Sequence, residues 1–297
     1  MSGGDLDPRA VLTALGYPEV RALEPVLGGW ETSLWRFETP DGQRHALRVY
    51  PGPAHARSAR KEEAALHACM DAGVPVPTLE ATGQWEGRPL LVIGWCPGAT
   101  LLAAMLRHPW SMWRFGLSFG RLQAQIHRVP PPAALLEGAP DYWLLWASLQ
   151  RPEVFVRMQG MALSTASLIH LDYHPLNVLT DGRRFTGIID WSNAAAGDPR
   201  ADFARTATLL LTASSPPGPT RHVVGALRRL FYLAWRRGYV SEAGPLGDLA
   251  PFMAWAGATR LQDLEGVRDS PQAWAGEEDL AAARRWVERW KRRARIP

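Results

Sequence analysis

The spacing of hydrophobic positions changes character once along this chain, close to residue 96. Upstream, apolar residues come in short alternating runs broken by Gly and Pro. Residues 5–18 predict a short helix, with Asp7 as N-cap, Pro8 at the first helical position and Gly16 at the stop. The stretch from Val26 to Leu34-Trp35-Arg36-Phe37, the pair Asp41-Gly42 and then His45-Ala46-Leu47-Arg48-Val49-Tyr50 predict a β-hairpin, ended by Pro51-Gly52-Pro53. Residues 57–72 carry Ala64, Ala65, Leu66, Ala68 and Cys69 at helical spacing before Gly73, which predicts a helix. Val74-Pro75-Val76-Pro77 is extended, because each Pro drives its predecessor out of the helical region. A further strand pair is expected at 78–81 and 90–94, joined through Glu86-Gly87. Beyond Cys96-Pro97-Gly98 long amphipathic helices take over, such as residues 113–127, interrupted by one strand-rich island at 168–190. The expected fold is therefore α+β and bilobal. Residues 1–95 would form a small antiparallel-sheet lobe and 96–297 a larger, mainly helical one, with a cleft where ligand sites tend to sit.

Composition narrows the class. A chain of 297 residues can carry two cores, and 46% hydrophobic with 21% charged residues describes a globular protein rather than a disordered one. The net charge of +4 is modest, and no Lys/Arg run is interleaved with aromatics, so no nucleic-acid partner is expected. Cys69 and Cys96 form neither a disulfide framework nor a metal-ligand spacing and are expected to be buried free thiols. The opening MSGGDLDPRA lacks signal-peptide character, and no apolar run reaches the ~20 residues that span a bilayer. A cytoplasmic protein without a membrane span, monomeric or homodimeric, is the expectation. Fourteen Trp residues, most after residue 90, fit packing by a large ring with one polar handle.

The chemistry concentrates in the island. His170, Asp172, His174 and Asn177 lie within eight residues between apolar runs, followed by two strand-like runs, 178–180 and 185–189, around Asp181-Gly182. Such a hairpin folds back on itself and brings Asn177 and Asp190 together at its open end, beside Asp172. One carboxylate and one amide oxygen suit a hard divalent cation such as Mg2+. A second carboxylate nearby can take the proton of an attacking hydroxyl. The spacing H-x-D-x-x-x-x-N, followed by Asp after a hairpin, is that of a kinase catalytic loop and metal-binding aspartate, which serve phosphoryl transfer by positioning and charge.

Leu171 stands where protein kinases have Arg, and Asp190-Trp191 where they have Asp-Phe-Gly. With these differences the segment resembles the aminoglycoside phosphotransferase and choline kinase family of small-molecule kinases. The resemblance continues into Gly197-Asp198-Pro199-Arg200-Ala201-Asp202-Phe203-Ala204. Upstream it takes in Gly28-Gly29, Arg48, the Glu62 helix with its VPVP exit, the segment 91–98 and the helix end at 122–127, about 180 residues in all. It implies a protein-kinase-like fold, ATP or another nucleoside triphosphate, Mg2+ and a small-molecule hydroxyl acceptor. By the same resemblance Asp172 is the catalytic base and Asn177 and Asp190 are metal ligands. His170 and Asp202 support the loop, while His174 either touches the acceptor or hydrogen-bonds within the loop. Leu179 and Ile189 would pack near the adenine, Gly94 and Cys96 would offer it backbone groups, and Ile93 would guard the back of the pocket.

Two positions depart from the family pattern. Arg48 occupies the strand position of a phosphate-binding Lys, with Glu62 as the expected ion-pair partner; Arg can bind phosphate, but with different geometry. The turn Gly28-Gly29-Trp30-Glu31-Thr32-Ser33 offers backbone N–H groups and two hydroxyls rather than an Asn after its glycines. These departures keep a nucleotide-binding pseudokinase or scaffold open as the alternative. For the acceptor, residues 242–279 hold eight Asp/Glu against two Arg, which suits either a cationic amino sugar or amino alcohol or a solvated acidic surface. Trp255 and Trp274 fit cation–π contact with an amine or plain core packing. The basic tail 284–295, with Trp286, Val287 and Trp290 on one side, fits closure of the lobe better than a membrane contact.

Overall fold

The computed structural model describes residues 6–26, 32–139, 141–213, 220–268 and 276–297. The chain divides into two compact units, one of residues up to Gly98 together with Leu179–Ser192, the other of Ala99–Val178 with Asn193–Pro297. The first boundary falls at 98/99 where 95/96 was expected, and the hairpin of the island belongs with the first unit.

In the first unit, α1 (Pro8–Ala14) starts as expected: Asp7 Oδ1 accepts the Arg9 N–H at 2.9 Å and Pro8 follows the cap. A five-stranded antiparallel sheet is ordered β1-β2-β3-β5-β4, from β1 (Arg21–Pro25), β2 (Ser33–Glu38), β3 (Arg44–Val49), β4 (Leu79–Trp85) and β5 (Arg88–Gly94). The β2–β3 hairpin turns at Asp41-Gly42, with Gly42 at φ +83°. At the β4–β5 turn Glu86 and Gly87 both have positive φ, +49° and +75°, which suits the right-handed twist of the flanking strands. Sequence patterning missed β1, an edge strand with no apolar alternation that pairs with β2. Leu47 and Val49 of β3 join Phe37, Leu90, Val92 and the buried Val11 and Leu12 of α1 in one core. By strand alternation Ala46, Arg48 and Tyr50 face the other way, where Arg48 and Tyr50 meet α2 (Ala56–Asp71).

The second unit begins with β6 (Ala99–Thr100) and continues through α3 (Leu101–Arg107), α4 (Met112–Ile126), α5 (Ala133–Leu136), α6 (Asp141–Leu144) and α7 (Pro152–Gln159). A two-stranded antiparallel sheet of β7 (Ser167–Ile169) and β10 (Ala195–Gly197) pairs Ile169 with Ala195. The helices α8 (Pro199–Thr212), α9 (Thr220–Ala243), α10 (Ala250–Arg268) and α11 (Glu277–Ala294) complete it. Close packing of α4 on α9 depends on glycines: a Cβ on Gly120 would strike the Trp235 carbonyl oxygen, and one on Gly116 would lie 2.6 Å from Ala234 Cβ. The tail helix closes the unit, since Val287, Leu280 and Ala283 form a core with Leu261 and Leu264 of α10. Trp143, Trp235 and Trp255 are fully buried, so Trp255 is a core residue; Trp274 lies outside the described residues.

Candidate active site

The turn after β7 is pinned from behind. Leu171 adopts φ +64°, a left-handed conformation that needs support in a non-Gly residue, and Asp202 in the first turn of α8 supplies it. Asp202 Oδ1 accepts the Leu171 backbone N–H, while Oδ2 accepts Gln123 Nε2 at 3.0 Å and His127 Nε2 at 2.8 Å. His127 Nδ1 pairs with the Tyr239 hydroxyl at 2.7 Å, and the Gln123 carbonyl accepts the Trp235 indole N–H at 2.8 Å. Burial alone would raise the Asp202 carboxyl; the His127 contact outweighs it and holds the group below the usual carboxylate range. Asp202 thus ties the loop as expected. His127, at the end of α4, is part of the tie, and nothing in its sequence context linked it to a residue 75 positions away.

This frame presents Asp172. Its backbone N–H donates to His170 Nδ1 at 3.2 Å, which assigns His170 the supporting role expected of it. The carboxylate Oδ2 accepts Asn177 Nδ2 at 3.0 Å and faces His174 Nε2 at 3.5 Å. His174 Nδ1 accepts the Leu176 N–H at 3.2 Å, so the ring proton sits on Nε2, toward Asp172. Arg205 reaches the same turn, donating Nε–H to the Leu171 carbonyl at 3.2 Å and Nη2–H to Asp263 at 3.0 Å. Burial pushes the Asp172 carboxyl up, but His174, then Arg205 and His170, more than offset it and keep Asp172 ionised far below the usual range.

The first unit holds the second group. Arg48 Nη1 donates to Glu62 Oε1 and Nη2 to Asp190 Oδ1, each at 2.8 Å. Glu62, almost fully buried on α2, also accepts the Tyr50 hydroxyl and the Trp191 backbone N–H. Burial raises the Glu62 carboxyl in spite of Arg48, and burial and Glu62 raise the Tyr50 phenol. Asp190, at φ +65°, takes a further hydrogen bond from Ser192 Oγ at 3.0 Å on the same Oδ1. The Arg48–Glu62 pair was expected. Tyr50 and Ser192 were missed, although Tyr50 lies two strand positions from Arg48 and hence on its face.

The hairpin of β8 (Val178–Thr180) and β9 (Phe185–Ile188) meets the segment after β5 closely enough to require glycine twice. A Cβ on Gly98, at φ +102°, would hit the Thr180 carbonyl, and one on Gly187 would hit the Cys96 side chain. Thr186 Oγ1 donates to the Pro97 carbonyl at 2.6 Å and the Ile188 N–H to that of Pro75 at 2.8 Å. Ile93, Gly94, Cys96, Leu179 and Ile189 thus belong to one unit. Gly94 donates its N–H to the Thr78 carbonyl at 2.8 Å, so of the backbone groups expected to serve a ligand its N–H is already engaged. Burial pushes the Cys96 thiol up to about 11 and that of Cys69 to about 12; both are free, as expected, but only Cys69 is buried, Cys96 being half-buried. Gly28 and Gly29 lie outside the described residues.

Residues 22–239 match the profile of the phosphotransferase enzyme family, well over half of the chain. The chain belongs to that family. Among solved structures, a thermostable mutant of aminoglycoside phosphotransferase APH(4)-Ia, in ternary complex with AMP-PNP and hygromycin B, is 17% identical with a TM-score of 0.64, covering 97% of this chain and 98% of that one. The macrolide 2'-phosphotransferase MphH from Brachybacterium faecium is 16% identical with a TM-score of 0.56, covering 94% and 96%. Ethanolamine kinase from Plasmodium vivax is 9% identical with a TM-score of 0.55, covering 90% and 81%. No curated protein sequence matches the chain. The α+β, protein-kinase-like fold expected from the sequence is borne out, and the family to which the chain belongs is one of phosphotransferase enzymes.

Asn177 in the second unit and Asp190 in the first each keep one oxygen atom of the kind a hard cation such as Mg2+ prefers. Asn177 spends its amide N–H groups on Asp172, on the backbone carbonyl and on Oδ2, both at 3.0 Å, and its amide oxygen accepts none of these bonds. Asp190 directs both its hydrogen bonds to Oδ1 and so leaves Oδ2. Both are hard oxygen donors. No group of three or more His, Cys, Asp or Glu suited to a metal ion occurs among the described residues, so neither a zinc-type nor an all-carboxylate cage is built.

Five carboxylates of the acidic stretch make structural bonds. Glu242 bonds Arg128 at 3.2 Å, Asp263 bonds Arg205, and Glu265 accepts Gln150 Nε2. Asp248 accepts the Ala250 N–H at the start of α10, and Asp279 the Gly276 N–H at the start of α11. No helix among the described residues is long and apolar enough to cross a membrane.

Proposed function

We propose that this phosphotransferase moves the γ-phosphoryl group of ATP to a hydroxyl of a small molecule, with amino sugars and amino alcohols as the first acceptors to test. The observation that carries it is Asp172: a carboxylate on a braced turn, kept ionised by His174 and Arg205 and bonded to Asn177. Asp172 accepts the acceptor's proton, and His174 fixes the orientation and charge of that carboxylate from inside the loop. A base so weak takes the proton late, as bond formation to phosphorus advances, which suits a loose transition state. Asn177 and Asp190 are the residues that hold Mg2+, which when bound offsets the charge of the transferring phosphoryl group. Ile93, Leu179 and Ile189 supply apolar surface for the nucleotide base, and Gly94 and Cys96 backbone groups.

The test is ADP release with Mg2+ across a panel of amino sugars, amino alcohols, macrolides and plain sugars. One or more acceptors should stimulate release, and Asp172→Ala should lower kcat by about 10²–10⁴-fold with nucleotide affinity retained. ATP binding without turnover on any acceptor, unaffected by Asp172→Ala, would instead establish a nucleotide-binding scaffold, the reading that the Arg48 substitution favours.

A further inference from the structure

We propose that Arg48 is a positioning residue for Asp190, holding that carboxylate for the metal ion, rather than a copy of the phosphate-binding lysine that the family places on this strand; the inference rests on the kinase reading above. Both η-nitrogens of Arg48 are engaged, one with Glu62 and the other with Asp190, each at 2.8 Å, while its Nε is buried without a partner among the described residues. Glu62 is in turn saturated by the Tyr50 hydroxyl and the Trp191 backbone N–H, so the Arg48 end of the chain Tyr50–Glu62–Arg48–Asp190–Ser192 is braced from α2. Arg48 and Glu62 are both almost fully buried, whereas the Asp190 side chain is 40% exposed. Charge therefore runs from a buried anchor to an open carboxylate.

A lysine cannot take this place. Its ammonium nitrogen ends where the guanidinium carbon of arginine lies, about 4 Å from each of the two carboxylates if nothing else moved, beyond hydrogen-bond reach. It could close on Glu62 or on Asp190 but not on both, and the planar fork is what spans the gap. Arg48 and Ser192 both donate to Asp190 Oδ1, so Oδ2 is the carboxylate oxygen left for a metal ion. Partners of this kind set the orientation of a ligating carboxylate, and their loss typically weakens metal binding by about 10–100-fold.

The experiment separates metal from nucleotide. Isothermal titration with ATP in EDTA measures metal-free nucleotide affinity, and Mn2+ titration of the ATP-bound protein by electron paramagnetic resonance measures the metal. Arg48→Lys should leave the first within about 3-fold and weaken the second by about 10-fold or more; Ser192→Ala, which keeps the Arg48–Glu62 pair, should weaken Mn2+ by a smaller factor, about 2–5-fold. Arg48→Lys that costs metal-free ATP affinity tenfold with Mn2+ unchanged would return Arg48 to the phosphate role and overturn the inference. So would Arg48→Lys indistinguishable from wild type in both titrations. If Arg48→Lys unfolds, Ser192→Ala alone decides, and unchanged Mn2+ affinity there counts against the proposal. A wild-type protein that binds no nucleotide would overturn the kinase reading and the inference with it; nucleotide and metal binding that ignores both substitutions would overturn the inference alone.

Discussion

Replacing Asp202 by Asn tests the frame behind the catalytic turn with almost no change in shape. The carboxylate receives three donors, from Leu171, Gln123 and His127, and is completely buried. An amide has one oxygen. Turned toward Gln123 and His127, it keeps those bonds in weaker, neutral form and sets its own N–H groups against the Leu171 N–H. One charged hydrogen bond is lost and a buried donor is left without an acceptor, for a combined cost of about 4 kcal/mol. For a cooperative unit of the size of Ala99–Val178 with Asn193–Pro297, that lowers Tm by about 8–16 °C at pH 7. The pH dependence follows from the depressed Asp202 carboxyl, whose contribution is present above the ordinary carboxylate range and lost as pH falls through the lower folded value. The Tm gap between wild type and Asp202→Asn, measured by calorimetry, should therefore be constant from pH 8 to about 5 and shrink below about pH 4. A gap under about 2 °C at pH 7, or one that does not narrow in acid, would refute this account of the frame.

Two further outcomes follow from geometry already given. Gly120→Ala drives a methyl group into the Trp235 carbonyl and should cost about 1–3 kcal/mol or more in chemical denaturation, whereas Gly225→Ala, with open space around it on α9, should be neutral or stabilising by up to about 1 kcal/mol; equal effects would contradict the close α4–α9 packing. Because His174, Arg205 and His170 hold Asp172 ionised against the effect of burial, the acid limb of kcat/KM should lie below about pH 4 in wild type and move upward in His174→Gln, and a wild-type limb near pH 6 that His174→Gln leaves in place would show that another group is the base.

The parts of the fold legible in the sequence are those fixed by local chemistry. Asp7-Pro8, Asp41-Gly42 and Glu86-Gly87 each mark a cap or turn through one or two residues, and each is found where expected. The spacing of Asp172 and Asn177 was legible for the same reason, being set within a single turn. What was hidden depends on long-range pairing. Strand β1 is held by hydrogen bonds to β2 rather than by an apolar face of its own, so periodicity does not reveal it. The Asp202–His127 tie and the seat of Arg205 join distant segments through buried polar atoms, and no local pattern encodes which polar residue will find which. Tyr50 sat between: strand alternation placed it beside Arg48, but only the position of α2 shows that both share Glu62.

The chain leaves its first unit after Gly98, re-enters it at Leu179 and leaves it again after Ser192. That unit is consequently not a cassette. No single cut yields it whole, and a fragment ending at Gly98 would lack the hairpin against which Gly98 and Cys96 are packed. A gene fusion that swapped the leading third of this chain for that of a relative would carry over Arg48, Glu62 and Tyr50 but leave Asp190 and Ser192 behind. Since Arg48 and Asp190 are matched to each other across that seam, the two segments are expected to be inherited together, and recombinants that separate them to pair a lysine-type strand with this hairpin must re-establish the link from new residues.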